Sequence, residues 1–190
     1  MPRITAPTVA EHRSRRLATL LETGRDLVTE GGPEALTLAN LAKRVGLSRP
    51  SLYEYFKSRE DLAAAIIEDE LPRWTELVAD SLAGDAPLGD KIESYVRMQL
   101  ELMRDGRHAA AVALSAHALP DDARQRIRDG HLRLLEPLVE VLTGAGVAEP
   151  RLRAMLVQAI VESANRLPVA DSEALITVTV SQILHGVSGN

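Results

Sequence analysis

The chain has 190 residues, 45% of them hydrophobic and 26% charged, which is ordinary globular composition and excludes disorder throughout. It has no cysteine, which excludes a disulfide framework, thiolate metal sites and a cysteine nucleophile. Its formal charge of −5 is unevenly spread: residues 1–57 carry nine Lys/Arg against six Asp/Glu, whereas residues 58–190 carry 13 against 21. A basic end on an acidic chain is the pattern of a segment that faces nucleic acid. The longest strictly apolar runs, such as 109–114, are six residues, too short to span a membrane. The first 21 residues lack the apolar core of a secretory signal, so the expected compartment is the cytoplasm.

Leu and Ala supply 28 and 26 residues and only five are aromatic, so an all-α fold is expected. Thr8 to Glu11 fits a capping box, and Leu17, Leu20, Leu21, Gly24, Leu27 and Val28 recur at helical spacing up to Gly31-Gly32. Thr37 caps a short helix over Leu38, Leu41, Ala42 and Val45, which Gly46 ends. Ser48 caps a third helix reaching Phe56, in which Pro50 sits harmlessly in the first turn. Ser58 opens a long helix to about residue 83, with a kink expected at Pro72. Further helices are predicted over 88–105, 107–118, 121–143, 151–167 and 171–187, about nine in all. The 107–118 segment is apolar nearly all round and is expected to be buried. Ile176 to Val180 alternates like a strand, but an isolated strand has no partner, so helix is expected there too.

Residues 37–56 read as a helix-turn-helix, whose second helix fits the major groove and meets base edges with its N-terminal residues. Arg49 can fork onto a guanine and Ser51 can bond either way. Tyr53, Tyr55 and Lys57 can reach phosphates. Arg13, Arg15 and Arg16 on the first helix fit either a phosphate-binding arm or a solvated face. The string TLANLAKRVGLSRPSLYEYFKSREDLAAAI closely resembles the TetR-type transcriptional regulators. The matching positions are Ala42, Gly46, Leu47, Ser48, Leu52, Tyr53, Tyr55, Phe56, Ser58, Arg59, Glu60 and Leu62, and the likeness covers about residues 11–70.

That resemblance implies a three-helix DNA-binding domain over 1–57 and a helical effector-binding and dimerisation domain over 58–190. It implies a homodimer formed by the last two long helices, a double-stranded DNA operator, and repression relieved by a small-molecule effector. By position, Thr37 would touch phosphate, and Ser48 at the turn would also contact DNA. Arg49, Pro50, Ser51 and Tyr53 would face the groove. Tyr55, Lys57 and Arg59 would clamp the backbone. Pro50 stands where many members carry Gly, and acidic Glu54 follows Tyr53. Two other readings stay open: an activator or protein-controlled regulator of the same family, and a helical enzyme or scaffold with a vestigial motif.

In the second domain, periodicity sets Tyr95 and Gln99 on the apolar stripe of their helix, and His131 between Ile127, Leu134, Leu138 and Leu142. His117 lies in the short apolar helix. Polar groups on apolar faces need partners or a ligand, so Tyr95, Gln99, His117 and His131 are the candidate effector residues. Trp74 falls on the apolar side of its helix and is expected in the core. The 151–167 helix is apolar on two faces, one for its own core and one for a partner in a two-fold dimer. Val157, Val161, Ala164 and Ile183 are the candidate dimer residues. There is no phosphate-cradling Gly loop, HExxH spacing or G-x-S-x-G elbow, so the sequence calls for no cofactor, no metal and no enzymatic activity.

Overall fold

The computed structural model describes residues 9–187, which are all-α with no strand among them. Thr8, the proposed first cap, lies outside the described residues. Helix α1 spans Val9–Gly31, a 3₁₀ turn follows at Pro33–Ala35, then α2 (Leu38–Val45), α3 (Arg49–Tyr53) and α4 (Arg59–Ser81). The remainder are α5 (Leu88–Leu102), α6 (Gly106–Ser115), α7 (Asp121–Leu134), α8 (Glu136–Gly144), α9 (Pro150–Asn165) and α10 (Ser172–Val187). The strand-like stretch Ile176 to Val180 is helical, as expected.

Two boundaries differ from the expectation. The helix expected over 121–143 is two: it breaks at Leu135, and α8 restarts with Pro137 in its first turn. Proline disfavours helical backbone in the residue before it and donates no N–H, so it opens a helix far better than it continues one. Pro72, by contrast, lies inside α4, which runs unbroken past it. Helix α3 is only five residues long and stops before Phe56. Helix α6 buries Ala110, Ala111 and Leu114 but leaves Val112 43% exposed, so it is buried on one face rather than all round.

The chain forms two compact units. One holds the residues up to Asp69 together with Ala109–Ile127; the other holds Glu70–His108 and the residues from Arg128 on. The first unit is centred on Leu20, Leu41, Leu52, Phe56, Leu62 and Ile66, all buried. Phe56 and Leu52 are core, as their place in the motif suggests. Gly24 lets α1 approach α4 closely, since a Cβ there would sit 2.8 Å from Ile66 Cδ1. The second unit's core runs through Val78, Ile92, Tyr95, Val96, Leu138, Leu142, Val157, Val161 and Ile183.

Candidate nucleic-acid interface

Local chemistry fixes the helix-turn-helix. The Thr37 hydroxyl accepts from the Asn40 N–H at 3.0 Å and starts α2. Gly46, at φ 69°, adopts the left-handed conformation that ends it, and the Leu47 N–H donates back to the Ala42 carbonyl at 3.0 Å. The Ser48 hydroxyl accepts from the Ser51 N–H and starts α3, with the two hydroxyls 2.9 Å apart. Ser48 and Thr37 are therefore helix caps, and Ser51 is partly engaged by Ser48.

Around this frame the basic side chains divide into committed and uncommitted. Arg49, Lys43 and Lys57 are exposed, and their side chains have no hydrogen bond or ion pair among the described residues. Tyr53 is 57% exposed at the end of α3, and Pro50 is exposed in its first turn. Arg44 is held by a two-pronged pair with Glu30, both contacts 2.5 Å, which lowers the Glu30 carboxyl below its ordinary range. Tyr55 is half-buried, with the Arg13 guanidinium 5.2 Å over its ring. Arg13 also donates to the Glu54 carbonyl at 3.3 Å, so this arginine braces the segment after α3. Sequence reasoning left Arg13 undivided from Arg15 and Arg16, because nothing local signals a contact across 41 positions.

Arg59 departs from its expected role. Its Nε donates to the Leu36 carbonyl at 2.9 Å and its Nη2 to the Pro33 carbonyl at 2.8 Å. It ties α4 to the loop before α2 and is spent on the fold. The motif position was legible, but the target of a long side chain was not.

Of the four candidate effector residues only Tyr95 and Gln99 meet. Tyr95 is fully buried; its hydroxyl donates to Gln158 Oε1 at 2.5 Å and accepts from Gln99 Nε2 at 3.0 Å. Burial pushes the Tyr95 phenol up to about 12. His117 belongs to the first unit, with Nδ1 3.0 Å from the Ala113 carbonyl and Nε2 3.3 Å from Glu34. His131 is exposed, its ring 6.0 Å from that of Trp74. An open groove of about 570 Å³ in the second unit, lined by Leu82, Leu88, Lys91, Pro137 and Glu140 among others, contains none of the four. Among the described residues no cluster of acidic or histidine side chains is placed to hold a metal ion, and no helix is long and apolar enough to cross a membrane.

The candidate dimer residues also require correction. Val157, Val161, Ala164 and Ile183 are buried in the core of their own unit, none more than 6% exposed. Helix α9 does have two apolar faces, but the outward one carries Leu152, Met155 and Leu156, each about half exposed. Periodicity separates the faces and does not say which turns inward; the exposed Val178 of α10 was likewise invisible to it.

Residues 20–66, which contain α2, α3 and their turn, match the family described as bacterial regulatory proteins, tetR family. The helix-turn-helix segment is of the TetR type. Over 118 residues it is 31% identical to the nucleoid occlusion factor SlmA of Haemophilus influenzae, an alignment covering 62% of this chain and 52% of that protein. This chain spans about half the length of the curated relatives it matches. A transcriptional regulator of the TetR/AcrR family from Thermobifida fusca superposes with a TM-score of 0.71 at 18% identity, over 90% of this chain and 98% of that one. The fatty acid degradation regulator FadR of Bacillus halodurans gives 0.70 at 15% identity, over 92% and 97%. At such identities these two establish a shared TetR-type fold.

Proposed function

We propose that this chain is a cytoplasmic, homodimeric transcriptional repressor of the TetR type that binds a near-palindromic DNA operator and is released by a small molecule. The observation that carries the reading is the capped helix α3, which presents Arg49 and Tyr53, with Lys57 just beyond it, exposed and uncommitted. Arginine reads guanine in the major groove with two parallel hydrogen bonds, while lysine and tyrosine hold phosphates. The charge distribution supports the same assignment: the basic excess lies in residues 1–57.

Dimerisation rests on the outward apolar face of α9 and α10. Leu152, Met155, Leu156 and Val178 make a surface whose burial against a second copy removes apolar area from water. Two copies set the paired α3 helices one DNA turn apart, roughly 34–36 Å, and so require a two-fold operator. Ligand release is a population shift: the effector favours a dimer whose reading heads are wrongly spaced, by no more than its differential affinity for the two states.

The test is a titration of the full chain against the DNA flanking its own gene, with a scrambled control, at several salt concentrations. Tighter binding to the flanking DNA, a steep salt slope and two protomers per site are expected. Absence of binding to any duplex at low salt, including one selected from random DNA, refutes the reading.

A further inference from the structure

Arg13 stands exposed near the start of α1, 41 positions from the residue whose carbonyl it holds. Its Nη2 donates to the Glu54 carbonyl at 3.3 Å, and its guanidinium carbon lies 5.2 Å from the centre of the Tyr55 ring. Arg15 and Arg16 of the same helix are exposed too, but among the described residues their side chains make no hydrogen bond or ion pair. Of these three arginines, Arg13 is the one tied to the segment that follows α3. All of these residues belong to the first unit.

Residues 54–58 form a turn between α3 and α4. Helix α3 ends at Tyr53, so the carbonyls beyond it lack the donors of a further helical turn. Two contacts fix the far end of the turn. Phe56 is buried in the core, and the Lys57 N–H donates to Asp61 Oδ2 at 3.1 Å. Arg13 holds the near end, at Glu54 and Tyr55. The Tyr55 ring is half-buried, with its centre 6.4 Å from that of Phe56. Its hydroxyl makes no hydrogen bond among the described residues and is left to a partner.

We propose that Arg13 is a positioning residue for DNA binding: it holds the Tyr55 ring so that the hydroxyl meets a backbone phosphate, and does not itself touch DNA. The inference rests on the reading of the chain as a DNA-binding regulator. A tyrosine on a turn swings about two torsions, and fixing it before the duplex arrives removes that ordering cost from binding. Arginine suits the task because its flat guanidinium lies over a ring and donates from its edge at the same time. A lysine ammonium is a compact point charge, which can do one or the other. Moving the Arg13 guanidinium to a phosphate would release both the ring and the carbonyl.

The experiment is a double-mutant cycle on the full chain, read as affinity for its operator at several salt concentrations. Tyr55→Phe keeps the ring and removes the hydroxyl; Arg13→Met keeps the length and removes the guanidinium. Each should weaken binding by about threefold to tenfold, the worth of one hydroxyl hydrogen bond. The double variant should bind no more weakly than Tyr55→Phe, because nothing is left to position. Losses that multiply overturn the proposal. The salt slope of Arg13→Met should equal that of the parent; a slope flatter by about 0.9 per half-site means that Arg13 neutralises a phosphate itself, and overturns it too. Arg13→Lys is the second variant and should still lose affinity, whereas parental affinity would show that charge alone suffices. Without DNA, the Tyr55 ring resonances should move in Arg13→Met while those of Tyr95, in the second unit, stay; unmoved Tyr55 signals overturn the tie itself. A parent chain that binds no duplex sinks the regulator reading and this role with it, whereas binding without coupling between Arg13 and Tyr55 sinks this role alone.

Discussion

Arg49 and Arg59 carry the same guanidinium and opposite commitments. Arg49 is exposed at the start of α3 with no partner among the described residues, whereas Arg59 holds the carbonyls of Leu36 and Pro33. Their alanine variants should therefore fail in different assays. Arg49→Ala should cost about 1–3 kcal/mol on the operator and relax preference at one base pair, leaving thermal stability unchanged. Equal losses on operator and scrambled DNA would remove Arg49 as a reader. Arg59→Ala should lower unfolding free energy by about 2 kcal/mol, the scale of charged hydrogen bonds to partly buried carbonyls. Its salt dependence of DNA binding should stay that of the parent; a flatter slope would return Arg59 to the phosphate clamp. Lys57→Ala is the converse case. It should weaken all duplexes alike and reduce the slope of log affinity against log salt by about 0.9 per half-site. An unchanged slope would take Lys57 off the DNA backbone.

At the scale of the helix, what the sequence made legible was what it encodes locally. Thr37, Gly46 and Ser48 each act within four residues of themselves, so the caps and the turn of the motif could be placed from the string alone. Pro137 was a local signal too, and the split between α7 and α8 follows from it. What stayed hidden was the pairing of residues far apart in the chain: Arg13 on Tyr55, Arg59 on Pro33, and Tyr95 on Gln158, 63 positions away. Tyr95 and Gln99 lie on an apolar stripe and so need partners, which Gln158 of α9 supplies within the core. That arrangement has a pH signature. The folded phenol titrates near 12, against 10 when unfolded, because burial disfavours the phenolate. A raised folded pKa means that its stabilising contribution is whole below pH 10 and is lost as pH rises from 10 through 12. The loss amounts to about 3 kcal/mol across that window. Denaturant unfolding of the wild type between pH 9 and about 12 should show it, and Tyr95→Phe should be less steep. Identical pH dependence in the two proteins would mean that Tyr95 ionises as freely in the fold as outside it.

For the whole molecule, the deciding question is which face of α9 meets a partner. Val157 and Val161 are 1% and 2% exposed and belong to the protomer's core, so a charge there unfolds the unit whatever the assembly. Leu152 and Leu156 are each 55% exposed on the opposite side. A charge on the outward face leaves that core intact and strikes only what covers the surface. A stable dimer buries about 1,200–2,000 Å² in total, and an ionised carboxylate at its centre has no compensating partner. Leu156→Glu, with Leu152→Glu added if one charge is tolerated at the rim, should convert a dimer to a monomer by light scattering. Helical content and thermal unfolding at concentrations where the parent is monomeric should be preserved. The monomer still presents Arg49 and Lys57 but addresses one half-site at a time, so operator affinity should collapse toward the non-specific level while the half-site preference survives. A variant that remains dimeric would move the interface elsewhere on the molecule. A variant that is monomeric yet binds the full operator as tightly as the parent would separate dimerisation from DNA reading, and the two-fold operator would lose its structural reason.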